Sequence, residues 1–115
     1  MLKTDSNSTT TLPSKPINPP FVFRDPNHPS QVFGSASSIR ELAEILPYIP
    51  YFSIEYHVHR IEQDNTVYCD LAAWLRYVLG LSKLADEVEK VSSTYSGLEL
   101  KEQLVQLINQ HIFAE

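Results

Sequence analysis

From residue 38 onward, apolar side chains recur at intervals of three and four, the spacing that lines one face of an α-helix. Ser38-Ile39-Arg40-Glu41 opens the first such stretch as a capping box, with the Ser38 hydroxyl accepting from the third helical N–H and Glu41 reaching back to the Ser38 N–H. Ile39, Leu42, Ala43 and Leu46 continue it, and Pro47 and Pro50 end it, because proline lacks an N–H and restricts the residue before it. Tyr51 to Ile61 fits two periods: Phe52, Ile54, Tyr56 and Val58 alternate as in a strand, while Ile54, Val58 and Ile61 keep helical spacing. Ser53, placed to cap, tips this segment toward a short helix.

Gln63-Asp64-Asn65-Thr66 is a polar break, after which Tyr68, Leu71, Trp74, Leu75 and Val78 form the clearest apolar stripe. Gly80 suits the left-handed position past its end, and Ser82 caps a following helix with Leu84, Ala85, Val88 and Val91 inward and Asp86, Glu87, Glu89 and Lys90 toward water. Ser96 with Glu99 repeats the capping box ahead of a last helix bearing Leu100, Leu104, Leu107, Ile108, His111 and Ile112.

Upstream the pattern changes. Phe21-Val22-Phe23 and Gln31-Val32-Phe33 are β-prone runs flanking the turn-forming residues Asp25 to Ser30, which predicts a hairpin whose Phe side chains lie on helices. Residues 1–20, with SNSTTT and Pro13, Pro16, Pro19 and Pro20, offer little to bury and read as a disordered Pro/Ser/Thr-rich tail. The predicted architecture is α+β, mainly α: a single domain over 21–115 with a short N-terminal β-hairpin packed on a compact bundle of four to five short helices.

Composition narrows the function. One cysteine, Cys69, excludes an intramolecular disulfide, and no stretch resembles a signal h-region or a membrane span, so the expectation is a cytoplasmic protein. The net charge of −5 argues against nucleic-acid binding. Residues 1–61 hold five basic and five acidic side chains and residues 62–115 hold four and nine, so the acidic half complements a basic partner surface.

Candidate chemistry is sparse. His57 and His59 would share one face of a strand and so a metal ion, with further ligands to come from Glu55, Glu62, Asp64, Cys69 or Asp70, none at a diagnostic spacing; on a helix the two histidines lie about 200° apart and cannot. HxH also opens large metallohydrolase barrels, which need about 250 residues to supply the other ligands. Cys69 beside Asp70 suggests a Cys/His nucleophile, against which stands the commoner packed thiol, and Asp70 reads as a first-turn carboxylate facing a helix dipole. Gly34, Gly80 and Gly97 are too scattered for a phosphate loop.

Three phrases carry a family resemblance: Ser38-Ile39-Arg40-Glu41-Leu42-Ala43, then Tyr56-His57-Val58, then Asp70-Leu71-Ala72-Ala73-Trp74-Leu75-Arg76-Tyr77-Val78-Leu79-Gly80 with Leu84-Ala85. In these the chain resembles a small prokaryotic domain family of uncharacterised function, written S-L-x-E-L-A, F-x-x-H-V and N-D-F-A-x-W-L-R-D-V-L-G-D-x-x-L-A. The resemblance implies a compact helical unit with no established reaction, and His57 buried against Trp74. Cys69 stands where the family has Asn, Leu81 where it has Asp after the glycine, and Arg60 to Val67 lengthens the loop before the Trp74 helix.

The expected function is accordingly a non-enzymatic protein-interaction module or small accessory subunit, without cofactor, that presents an acidic and hydrophobic helical face (Leu104, Ile108, Glu87, Glu99) to a larger protein. A homo-oligomer stays open. The alternatives are a metal- or small-ligand-binding regulator centred on His57, His59 and Cys69, and last a minimal Cys/His enzyme.

Overall fold

A computed structural model describes residues 18–113. Of the tail expected over residues 1–20, the stretch 1–17 lies outside the described residues. Asn18 and Pro19 are tied to the domain: the Asn18 side-chain amide donates to the Ser37 carbonyl at 3.3 Å, and the Trp74 indole N–H donates to the Pro19 carbonyl at 2.8 Å.

Strands β1 (Phe21–Asp25) and β2 (His28–Ala36) form the antiparallel hairpin, which turns at Pro26-Asn27, where the Asp25 carboxylate accepts the Asn27 N–H at 2.8 Å. The strands are longer than the apolar runs suggest and their register is broken twice. Phe23 faces Gly34 but Arg24 faces Val32, so Phe33 has no cross-strand partner; Asp25 then faces His28, leaving Pro29, Ser30 and Gln31 over. Proline, with no N–H to give the ladder, fits that gap.

Helix α1 (Ile39–Ile45) starts at the predicted capping box, with the Glu41 N–H donating to the Ser38 hydroxyl at 3.1 Å. The Glu41 carboxylate reaches one residue further back than expected, to the Ser37 N–H at 2.6 Å. A 3₁₀ turn (Leu46–Tyr48) leads through Pro50 into α2 (Tyr51–Val58), so the ambiguous segment is helical, and Ser53 lies buried inside it rather than at its cap. Helix α3 (Asp70–Tyr77) ends near Gly80, whose φ of +71° is the left-handed value that glycine adopts without strain. Helices α4 (Ser82–Thr94) and α5 (Gly97–Phe113) complete the domain, and Leu81, not Ser82, holds the N-cap of α4.

The polar break at residues 63–66 is the tip of a second, smaller hairpin, β3 (Arg60–Ile61) with β4 (Val67–Tyr68). Asn65 turns it with φ +66°, and the Thr66 N–H donates to Asp64 Oδ1 at 3.0 Å. Tyr68 therefore belongs to a strand and not to the Trp74 helix.

The core lies between β1–β2 and the five helices, and α5 runs through it with Leu100, Leu104, Ile108 and Ile112 inward. This corrects the expected partner face: Leu104 and Ile108 are 0% exposed, because a four-residue apolar period on a helix crossed by α1, α2 and α4 has nowhere to go but inside. Of the same expectation, Glu87 and Glu99 are exposed. At Gly34 the hairpin approaches the end of α1 and the 3₁₀ turn after it so closely that a Cβ would lie 3.4 Å from Ile45 Cδ1 and 3.0 Å from Ile49 Cδ1.

Candidate functional site

Helix α2 has two faces of different chemistry. Its inner face carries Ser53, Ile54, His57 and Val58, all buried. Ser53 and His57 are one turn apart and both serve Arg24, the residue that the register break deprives of regular pairing. The Arg24 N–H donates to His57 Nε2 at 3.1 Å and the Ser53 hydroxyl donates to the Arg24 carbonyl at 2.7 Å, so two side chains supply what the ladder leaves unmade.

His57 sits among aromatic rings, with centroids of Phe21, Phe23 and Tyr56 at 5.3, 5.7 and 5.0 Å. Trp74 packs on Phe21 at 5.8 Å, so the imidazole belongs to the cluster that the Trp74 helix completes. Because Nε2 accepts, the neutral ring carries its proton on Nδ1, which faces Asp70 Oδ2 at 4.0 Å. Burial holds His57 below the ordinary imidazole value of 6.5; Asp70 opposes that shift, and Arg24 and Arg60 reinforce it.

Asp70 does more than face a helix dipole. Arg60 Nε and Nη2 donate to its two carboxylate oxygens at 2.9 and 3.0 Å, a bidentate pair that joins β3 to the start of α3, and Arg60 also pairs with Glu62. The Arg60 guanidinium lies 4.8 Å from the centroid of the Tyr68 ring, which closes the base of the small hairpin. Each of its three nitrogens thus bonds a carboxylate of the same chain. Arg76, in the phrase that carried the family resemblance, pairs with Asp86 at 2.7 Å and Glu89 at 3.1 Å and so joins α3 to α4.

The three residues of the alternative metal reading are not gathered in one place. His59 and Cys69 line a cavity of about 320 Å³ with Val67, Glu89 and Ser92, whereas His57 points into the aromatic cluster. Among the described residues no three His, Cys, Asp or Glu side chains are arranged to hold a metal ion. Burial pushes the Cys69 thiol up to about 11, which keeps it protonated and weakly nucleophilic at neutral pH.

The outer face of α2 is aromatic and faces water. Tyr51, Phe52 and Tyr56 are 47%, 42% and 39% exposed, and Tyr48 just ahead of the helix is 85% exposed. They are contiguous with the hairpin: the Phe52 ring meets Phe33 edge-on at 5.8 Å and Tyr51 at 6.2 Å. A row of such rings is what interfaces bury.

The sequence reading placed Phe33 against a helix, as found, but missed the roles of Ser53, Arg24 and Arg60. For the first there was a signal, since Ser53 and His57 are polar residues at helical spacing beside the inward pair Ile54 and Val58. A register break has no such mark.

Residues 18–115 match a family model described as a family of unknown function, DUF5752. That match extends well beyond the three phrases and begins at Asn18, where the chain is first tied to the domain. No curated protein and no solved structure matches the chain.

Proposed function

The chain belongs to DUF5752, a family of unknown function, and from that premise we propose that it is a non-enzymatic protein-interaction module or small accessory subunit acting in the cytoplasm. The carrying observation is the outer face of α2, where Tyr51, Phe52 and Tyr56 stand in water while the core is built from the opposite face. Large aromatic rings bring much apolar area at low conformational cost, and their concentration on one helix fits a partner surface better than it fits solubility. This face replaces the buried Leu104 and Ile108.

Charge adds direction. Glu87 and Glu99 are exposed, and the C-terminal half carries the net negative charge, which favours a partner with a basic surface. The non-enzymatic part is supported by what the reactive candidates already do: His57 holds the bulge, and Cys69 keeps its proton. Among the described residues no helix is long and apolar enough to cross a membrane.

The test compares the tagged protein with a Tyr51→Ser, Phe52→Ser variant in affinity capture from its native cells, with circular dichroism to establish that the variant folds. A stoichiometric protein retained by the first and lost by the second is expected. Capture that is unchanged in the variant, or no capture from any extract, removes this reading; self-association lost in the variant makes the partner a second copy.

A further inference from the structure

Helix α2 brings the bulge and the aromatic surface under one control. On its inner side His57 holds the Arg24 N–H, and on its outer side Phe52 holds Phe33, the residue that the same register break leaves over. Resting on the reading of the outer face as a binding surface, we propose that His57 makes this surface acid-sensitive: protonation of the imidazole withdraws the acceptor for Arg24, loosens the bulge and separates Phe33 from Phe52.

The geometry leaves the second proton no other outcome. Nε2 is the accepting nitrogen and Nδ1 carries the proton toward Asp70, so the imidazolium proton goes to Nε2 and meets the Arg24 N–H donor to donor. An imidazolium has no acceptor, so turning the ring over gives no relief. Phe21, Phe23 and Tyr56 box the ring in, and it moves only if β1 moves with it.

The charged groups facing His57 are Arg24 from β1, Arg60 from β3 and Asp70 from α3. Burial is the largest influence and disfavours the cation, as do both arginines. Asp70 favours it, but both its oxygens are already bonded to Arg60. The surface is therefore assembled at neutral pH and dispersed in moderate acid, on the side of histidine titration that pH sensors use.

The experiment is nuclear magnetic resonance on the full chain from about pH 7.5 to about pH 4.5, following the His57 ring nitrogens, the Arg24 amide and the Phe33–Phe52 ring contacts. One shared transition below the ordinary histidine value is expected, with the Arg24 amide exchanging roughly fivefold faster in the acid form after correction for intrinsic rate. His57→Gln keeps an acceptor for the Arg24 N–H without a titrating ring and is expected to abolish the transition. Should it not fold, Asp70→Asn serves instead, since removing the one favourable charge lowers the midpoint.

The proposal is overturned if His57 titrates while Arg24 exchange and the Phe33–Phe52 contacts stay constant, or if the glutamine variant keeps the transition. These readouts need no partner, so they stand when capture fails. A partner that requires Tyr51 and Phe52 at neutral pH and is held as tightly in acid overturns the regulation and leaves the binding reading intact.

Discussion

Trp74 and Pro19, 55 residues apart, are joined by a 2.8 Å hydrogen bond from the indole N–H to the proline carbonyl. Trp74 is only 7% exposed, so this carbonyl is what allows a polar ring nitrogen inside the cluster with Phe21. A chain begun at Phe21 leaves the indole N–H unpaired, and we expect it to lose about 1–3 kcal/mol of stability in urea melts. Trp74→Phe in the longer chain costs less of the hydrogen-bond energy, because the Pro19 carbonyl can turn to water. Combining the two changes recovers about 1 kcal/mol relative to their sum, and strict additivity would refute the coupling.

Ser53→Ala removes the hydroxyl that donates to the Arg24 carbonyl. A loss of about 0.5–1.5 kcal/mol follows, the net contribution of a part-buried hydrogen bond whose carbonyl belongs to an exposed residue. Native-state hydrogen exchange localises it: amides of β1 gain exchange and those at the centre of α5 do not.

The stability of the protein depends on pH through His57. Its folded value lies below 6.5, so between the two values the unfolded chain binds the extra proton and stability rises with pH. The contribution is fully present above about pH 6.5 and is lost as pH falls through the unfolded value toward the folded one. Chemical denaturation at closely spaced pH values is expected to show this slope in the wild type and a flatter one in His57→Gln. Equal slopes would falsify the assignment.

Cys69 should be slow toward alkylating reagents. With burial pushing the thiol up to about 11, iodoacetamide at about pH 8 should modify it at least tenfold more slowly than a free cysteine peptide, whose value is near 8.5. Urea abolishes the difference. Mass spectrometry over time gives both rates.

Gly34→Ala places a methyl 3.0 Å from Ile49 Cδ1 and 3.4 Å from Ile45 Cδ1. Both obstacles are flexible side-chain ends, so the chain still folds, at a cost of about 1–2 kcal/mol in thermal unfolding.

Much of this architecture was legible because helices advertise themselves by period. Leu84, Ala85 and Val88 were expected inward and are, and Ser38 caps α1 as its spacing to Glu41 demands. The small hairpin was missed because strands of two residues have too few positions to show alternation, and Ile61 and Val67 are exposed rather than buried. The same stripe that announced the last helix misled about its use, since Leu104 and Ile108 look alike as core and as contact until α1, α2 and α4 are placed around them. The site itself was half visible: His57 stood out by residue type, while its partner Arg24 is a backbone amide at a register break, and backbone groups carry no sequence signal of their own.

The clamp of Arg60 on Asp70 sets the base of the β3–β4 hairpin, and the bonds at its tip, from Glu62 N–H to the Thr66 carbonyl and from Asn65 N–H to the Glu62 carbonyl, close within five residues. The tip is thus insulated from the core. A peptide tag or a reporter grafted at Asn65 would travel with the domain without perturbing it, which makes this lengthened loop a natural handle.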